Sequence, residues 1–183
     1  MKAITPEVLL KDLRELIEEA RQDVARQVNS ALVVLYWRIG QRIRQDILKE
    51  KRAEYGEQIL HTVSTELVEE FGTGFSEKNL RRMVQFVEAF PDEQIVVTLS
   101  RQLGWSHFVA IIPLDDDLKR DFYAEMCRIE RWSVRTLRQK ISGLLFERTA
   151  LSKKPEKLIR EELDTLRAED KLTPIWFFAT RTS

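Results

Sequence analysis

The 183-residue sequence lacks several features on which whole classes of protein depend. Its only cysteine is Cys127, so no intrachain disulfide can form, and a reducing compartment suits the chain best. No stretch approaches the roughly eighteen consecutive apolar residues of a membrane-spanning helix. The first residues also lack the apolar segment of a secretory signal. We therefore expect a cytoplasmic protein that does not contact a membrane.

Glycine and proline are scarce, with six and five residues. A β-sandwich or β-barrel needs turn residues about every ten positions, so these counts argue against both architectures. Apolar residues make up 43% of the chain and charged residues 33%, which is typical of amphipathic helices in a globular protein. The composition predicts an all-α, multi-helix domain.

Motifs for catalysis are also missing from the sequence. The two histidines, His61 and His107, stand apart from any nucleophile motif, and with one cysteine they are too few for a zinc site. Neither of the common glycine-rich phosphate-binding loops occurs. The run Asp115–Asp117 could hold Mg²⁺, but consecutive acids more often begin a helix, where the helix dipole favours negative charge. We expect no catalysis, cofactor or metal site in this chain.

Apolar residues recur at intervals of three and four through residues 1–50, which is the spacing of one helical face. No glycine or proline interrupts the pattern between Pro6 and Gly40, so it predicts one very long helix or two nearly collinear ones. Such a helix typically packs against a partner, often a second copy of the chain, and we expect a homo-oligomer. The apolar series comprises Leu9, Leu13, Leu16, Ile17, Ala20, Val24, Val28, Ala31, Leu32, Leu35, Ile39, Ile43 and Ile47.

Capping and turn residues divide the rest of the chain into shorter helices. We expect a helical domain over residues 51–150, followed by a linker helix and a divergent tail over residues 151–183. Only Ile95–Leu99 has the composition of a β-strand, which would suggest a winged-helix element, but a helix is the favoured interpretation. The predicted helices cover Glu57–Phe71, Ser76 to Pro91, and about residues 93–103, 106–112, 117–130, 134–147 and 155–169.

The formal net charge of the whole chain is zero, but the charge is unevenly distributed. Residues 119–160 contain twelve Lys or Arg against five Asp or Glu, a local excess of +7 that the remaining residues balance. Asymmetry of this kind indicates a surface that faces a polyanion. Within this segment, the residues around Trp132 are similar to a helix-turn-helix motif, although Arg131 occupies the turn position where glycine is usual.

The helix predicted after Trp132 has one apolar and one basic side. Arginine and glutamine near the start of such a helix are the side chains that grip phosphates and read base edges. A solvated basic surface without a ligand is an equally weighted alternative. The expected inward residues are Val134, Leu137, Ile141, Leu144 and Leu145. The candidate nucleic-acid-binding residues are Arg135, Arg138, Gln139 and Lys140.

Two other passages are similar to a helix-turn-helix. Leu99–Ser106 has the spacing of apolar residues, glycine and serine that is expected around the tight turn of this motif. The residues 107–112 that follow are mostly apolar, so we expect them to lie in the core. Gly74–Met83 offers Lys78, Asn79, Arg81 and Arg82 as possible contacts to a nucleic-acid backbone, with a structural role slightly favoured. Lys153 and Lys154, in the presumed linker, could assist on phosphates.

Five short motifs occur in order along the chain: Tyr36–Gly40, Tyr55–Gly56, Gly74–Ser76 with Asn79, Leu80 and Met83, Leu103–Phe108, and Trp132–Leu137. Together they resemble the helical N-terminal domain of the YhcG-like family of bacterial proteins. The resemblance runs from about residue 8 to about residue 170.

In that family the domain is taken as a DNA-binding or helix-turn-helix-like module that precedes a PD-(D/E)XK-type nuclease domain. The resemblance implies DNA processing, with double-stranded DNA as partner and Mg²⁺ serving the nuclease half. After Pro174 the sequence departs from the family, so we expect the nuclease half to be missing and this chain not to be an enzyme. The competing hypothesis is a protein-interaction or dimerisation scaffold without affinity for nucleic acid.

Overall fold

The computed structural model describes residues 6–49 and 53–152, and every regular element within these ranges is helical. The predicted all-α fold with a long first helix is confirmed. A short 3-10 turn at Thr73–Phe75 joins the second and third helices. The helices are α1 (Pro6–Lys49), α2 (Ala53–Phe71), α3 (Glu77–Ala89), α4 (Glu93–Ser100), α5 (Trp105–Ile111), α6 (Asp117–Glu130), α7 (Val134–Ser142) and α8 (Leu145–Ser152).

The chain divides into two compact units, with the boundary between Trp105 and Ser106. Unit 1 contains α1 to α4 and the first residue of α5, and unit 2 contains the rest of α5 with α6, α7 and α8. The domain boundaries expected from the sequence, after residues 50 and 150, remain predictions. The helix expected over residues 155–169 lies outside the described residues.

The first helix is continuous over 44 residues, which corresponds to about 66 Å. Its second half packs against α3 and α4, whereas the side chains of residues 6–28 are exposed. Gly40 lies where α1 crosses α3, and a Cβ atom there would stand 1.9 Å from the backbone oxygen of Met83. A residue expected only to interrupt the apolar pattern is therefore required for close packing of two helices.

The core of unit 1 forms around aromatic side chains on α1 and α3. The indole Nε1 of Trp37 donates a 2.7 Å hydrogen bond to the carbonyl of Phe90, so its one polar group is satisfied in the interior. Trp105 packs edge-to-face against both Tyr36 and Phe86, at centroid distances of 5.1 and 5.5 Å. Trp37 and Trp105 are therefore packing residues of unit 1.

The strand-like segment Ile95–Leu99 is helical and lies within α4. The Asp92 carboxylate caps this helix by accepting a 2.8 Å hydrogen bond from the backbone N–H of Gln94. Val96 and Leu99, three residues apart, are fully buried, which is the helical rather than the strand period. The local cap and the burial of one helical face explain why β-branched residues form a helix here.

In unit 2, the expected helix over residues 134–147 is wrong, because the chain forms two helices, α7 and α8. The break lies at Gly143 and Leu144, and Leu144 adopts a left-handed backbone conformation with φ of 53°. The prediction that Leu144 faces inward is also wrong, since its side chain is exposed. Phe146 is buried instead and packs against Phe122 of α6.

Among residues 6–49 and 53–152, no helix combines the length and the apolar character that crossing a lipid bilayer requires.

Candidate nucleic-acid interface

Helices α6 and α7 are joined by a three-residue turn, Arg131–Ser133. Arg131 adopts a left-handed conformation, with φ of 51° and ψ of 44°, so it occupies the position that usually selects glycine. Ser133 caps the start of α7, because its hydroxyl accepts a 3.1 Å hydrogen bond from the backbone N–H of Thr136. The ring Nε2 of His107 lies 2.9 Å from the carbonyl oxygen of Trp132, which links α5 to the turn. The turn is therefore held by the Ser133 cap of α7 and by the contact between His107 of α5 and Trp132.

Helix α7 has a buried side and an exposed side. Leu137 is fully buried, and Val134 and Ile141 are half-buried beside it, as expected from the sequence. Arg135 and Arg138 are exposed. Gln139 is also exposed and follows Arg135 by four residues, so these three polar side chains share one surface of the helix.

The basic residues of α6 differ from those of α7 in how they are used. Three cations of α6 form ion pairs with carboxylates inside unit 2: Lys119 with Glu147, Arg120 with Asp117, and Arg128 with Glu125. The last pair is the most buried, because the Glu125 side chain is 2% exposed. These three cations stabilise the unit and are unavailable as docking groups.

The cations on the turn and on α7 are differently placed. Within the described part of the chain, Arg131, Arg135 and Arg138 form no ion pair with a carboxylate, and all three are exposed. In residues 119–152, most of the cations without a carboxylate partner thus lie on one turn and one short helix, and the remaining one, Arg148, is exposed on α8. We refer to Arg131, Arg135, Arg138 and Gln139 as the basic surface of α7.

Lys140 lies beside this surface but has a different environment. Its ammonium is 5.6 Å from the centroid of the Trp132 ring, a cation–π geometry. Its backbone carbonyl accepts a 3.3 Å hydrogen bond from the hydroxyl of Tyr123, which in turn accepts one from the backbone N–H of Phe146. Lys140 is exposed and remains a candidate contact, with its head group held over the half-buried Trp132.

The candidates on α3 belong to unit 1 and are less available. Arg81 donates to the Glu77 carboxylate at 2.7 Å, and Arg82 donates to the Asn79 side chain at 3.2 Å. Hydrogen bonds from Arg81 and His61 lower the pKa of Glu77. Of these three candidates on α3, Lys78 alone is an exposed cation for which no ion pair is observed among the described residues. Lys153 and Lys154 lie outside the described residues.

The acidic run before α6 has a structural role. The Asp116 carboxylate accepts a 2.9 Å hydrogen bond from the backbone N–H of Lys119 and so caps the helix, while Asp117 pairs with Arg120. No cluster of three or more potential metal ligands occurs in residues 6–49 and 53–152. Burial raises the pKa of the Cys127 thiol to about 12, so the group stays protonated near neutral pH and is a poor nucleophile.

The sequence pattern underestimated one residue of this surface. Arg131 weakened the helix-turn-helix interpretation because glycine is expected at its position. In the structure it adopts the glycine-like conformation and adds an exposed cation directly before α7. The sequence did contain an indication of this role, because Arg131 lies between the end of the apolar pattern of α6 and Ser133, which caps α7.

These features define a class of protein: an all-helical domain in which a tight turn presents a short basic helix. Residues 12–148 match the DUF1016 N-terminal domain, and the chain belongs to that family. It is 32% identical over 167 residues to the Escherichia coli (strain K12) protein named "Putative nuclease YhcG". That alignment covers 75% of this chain and 44% of the relative, so the chain spans less than half of the relative's length. No solved structure matches the chain.

Proposed function

We propose that this chain is the nucleic-acid-docking and oligomerising domain of a YhcG-like nuclease, with double-stranded DNA as its partner. The observation that supports docking is the basic surface of α7, where Arg131, Arg135 and Arg138 are exposed and unpaired with any carboxylate of the described residues. The name of the E. coli relative supports the association with a nuclease. Cys127, the lone cysteine, fits a reducing cytoplasm.

The proposed docking mode follows from the two sides of α7. Leu137 anchors the helix to unit 2, and Arg135 and Arg138 project from the opposite side. A guanidinium group can donate two parallel hydrogen bonds to a phosphate, and the N-terminus of a helix adds favourable backbone donors. Gln139, one turn after Arg135, is placed to reach a base edge while the arginines hold the backbone.

The remaining candidates have supporting roles in this proposal. Lys140 would add a phosphate contact beside Trp132, and Lys78, Arg82, Lys153 and Lys154 would add weaker electrostatic attraction. Because Arg81 is paired with Glu77, we assign it the smallest contribution. We propose no catalytic step on this chain. Cleavage with Mg²⁺ is assigned to the separate nuclease domain that the family resemblance implies.

The test is binding of a labelled DNA duplex measured by fluorescence anisotropy. Replacing Arg135→Ala and Arg138→Ala together should weaken binding at least about tenfold at constant salt, because two charge-assisted hydrogen bonds are lost. A matched control is Arg38→Ala with Arg42→Ala, which removes the same charge but from arginines paired with Glu93 and Asp46 in unit 1. Equal losses in the two double variants would contradict a specific role for α7.

A second candidate function is a protein-interaction scaffold without affinity for nucleic acid. The exposed apolar residues of α1, among them Leu13, Ile17 and Val24, specifically favour it. If wild-type chain fails to bind duplex DNA at about 50 mM salt while forming oligomers, this second function replaces the first.

A further inference from the structure

Helix α1 has apolar residues on two opposite sides. Val33 and Trp37 face α3 and α4 and are 0% and 2% exposed, whereas Val28 and Leu35 are 55% and 43% exposed. At about 100° per residue, residues 28 and 35 lie roughly half a turn around the helix from residues 33 and 37. The exposed side is therefore not an extension of the packed side. It is a second apolar surface on the same helix.

This second surface begins near the start of α1 and extends past the point where the helix joins the rest of unit 1. We call it the apolar seam. Its exposed large residues are Leu9, Leu10, Leu13, Leu16, Ile17, Val24, Val28 and Leu35.

The apolar seam contains a regular heptad series. Residues 10, 17, 24 and 31 occupy one core position, and residues 13, 20, 27 and 34 occupy the other. Gln27 is the single polar member of this series. Polar residues at 11, 12, 15, 18, 19, 22 and 26 lie on the far side of the helix. Three or more successive heptads of this kind are typical of a helix that pairs in a coiled coil.

We propose that the apolar seam binds the apolar seam of a second copy of this chain, as a parallel, in-register two-helix coiled coil. The area is sufficient. If pairing covers about 75 Å² on each of the eight exposed side chains, it buries about 600 Å² per copy, or about 1,200 Å² in total, which reaches the range of stable interfaces. The stems of Arg14 and Arg21, which flank the core positions, would add to this area.

Charge favours the parallel arrangement over the antiparallel one. In parallel register, Arg14 and Arg21 lie beside Leu9 and Leu16 of the second copy, so no like charges meet at the flanks. The antiparallel register with full overlap places Arg21 against its own counterpart and Asp23 against its own counterpart. Two like-charge contacts at the centre of the interface would disfavour that pairing.

The polar core residue points to the same arrangement. In parallel register the two Gln27 side chains lie at one level, where each amide can donate to the other. In the antiparallel register with full overlap, Gln27 faces Ile17 of the second copy and a buried amide loses its partner. A single polar core position of this kind also fixes the register of the pair.

This inference deepens the oligomerising part of the proposed function and is independent of DNA docking. Cysteine crosslinking under mild oxidation tests it, and the buried Cys127 does not interfere. Val24→Cys should form a disulfide-linked dimer in high yield, because parallel pairing brings the two positions together. Gln22→Cys, on the polar side of the same turn, is the matched control and should remain largely uncrosslinked.

An equimolar mixture of Ala20→Cys and Val24→Cys chains distinguishes the orientations. Selective crosslinking between the two variants, with little Val24→Cys homodimer, would show antiparallel pairing and overturn the proposal. Light scattering on the wild-type chain should give twice the 21.6 kDa chain mass. A strict monomer or a larger oligomer would each overturn the two-helix pairing, and a monomer would also remove oligomerisation from the proposed function while leaving DNA docking to its own test.

Discussion

At the scale of single residues, the positions that identify the family are mostly those that build the fold. Trp37 donates a hydrogen bond to the carbonyl of Phe90 within the core, Gly40 permits the close crossing of α1 and α3, and Ser133 caps α7. The residues proposed to bind DNA, Arg135 and Arg138, instead touch no carboxylate of the described chain. Recognition of the family and assignment of its ligand therefore rest largely on different side chains, with Arg135 belonging to both sets.

Gly40 should tolerate no side chain. Replacing it with alanine places a Cβ atom 1.9 Å from the Met83 carbonyl oxygen, a contact with backbone that cannot be relieved by rotating a side chain. We expect Gly40→Ala to lower the free energy of unfolding by about 3 kcal/mol, measured by urea denaturation. Gly74→Ala is the control, since its nearest neighbour would be the Tyr36 hydroxyl at 3.8 Å, and it should change stability by less than about 0.5 kcal/mol. Equal stability of the two variants would refute the close crossing.

Arg131 and Leu144 both adopt left-handed conformations that strain a side chain. Glycine at either position relieves this strain, so Arg131→Gly and Leu144→Gly should each raise the free energy of unfolding by up to about 1 kcal/mol. The two variants should differ in their affinity for duplex DNA. Arg131→Gly removes a cation of the basic surface of α7 and should weaken duplex binding, whereas Leu144→Gly should leave affinity unchanged. Unchanged affinity in Arg131→Gly would exclude Arg131 from the docking surface.

At the scale of elements, unit 2 is held together by interactions that connect α6 to the helices after it. Tyr123 bonds to the backbone of both α7 and α8, and Lys119 pairs with Glu147 across α6 and α8. These contacts explain how a nine-residue helix such as α7, too short to be stable in isolation, can present its side chains in a defined way.

The Lys119–Glu147 pair should make stability depend on pH in the acid range. The hydrogen bond from Lys119 lowers the pKa of Glu147 below its ordinary value of 4.5. The stabilising contribution is therefore fully present above about pH 4.5 and is lost as the pH falls through the folded-state pKa. Thermal unfolding between pH 7 and pH 3 should show a smaller decrease in midpoint for Glu147→Gln than for the wild type. Glu130→Gln, on the exposed surface of α6, is the control and should retain the wild-type dependence.

Sequence periodicity predicted most elements, and its one clear error is instructive. The apolar spacing of Val134, Leu137 and Ile141 continues through Leu144 and Leu145, so one helix was expected where two occur. Periodicity reports which side chains can face inward but does not report a left-handed residue, and leucine rarely adopts that conformation. Periodicity likewise did not predict the left-handed conformation of Arg131. Ion pairing was also beyond prediction, because the partners Lys119 and Glu147 are 28 residues apart.

At the scale of the whole molecule, the net charge is zero, but the charged and apolar residues of different helices have different roles. The cations of α6 stabilise unit 2, the exposed cations of α7 are proposed to dock on DNA, and the apolar seam of α1 is proposed to bring two chains together. A dimer would carry two basic surfaces of α7, and if both contact one duplex, affinity increases by effective concentration without any new contact.

This link between pairing and docking is testable with one variant of α1. Ile17→Glu together with Val24→Glu places charges at two core positions of the seam, where the native side chains are 56% and 60% exposed, so each chain should stay folded but monomeric. We expect its affinity for a long duplex to fall by about tenfold or more, while its affinity for a short duplex that accommodates one α7 surface should change little. A monomeric variant that keeps full affinity for the long duplex would show that pairing does not serve docking.

The central claim is that Arg135 and Arg138 bind phosphate, and the salt dependence of duplex binding tests it most directly. Each phosphate contact contributes about 0.9 to the slope of log affinity against log salt concentration. The Arg135→Ala, Arg138→Ala double variant should therefore show a slope that is shallower than the wild type by about 1.8. An identical slope in the two proteins would contradict the claim, whatever the difference in affinity at a single salt concentration.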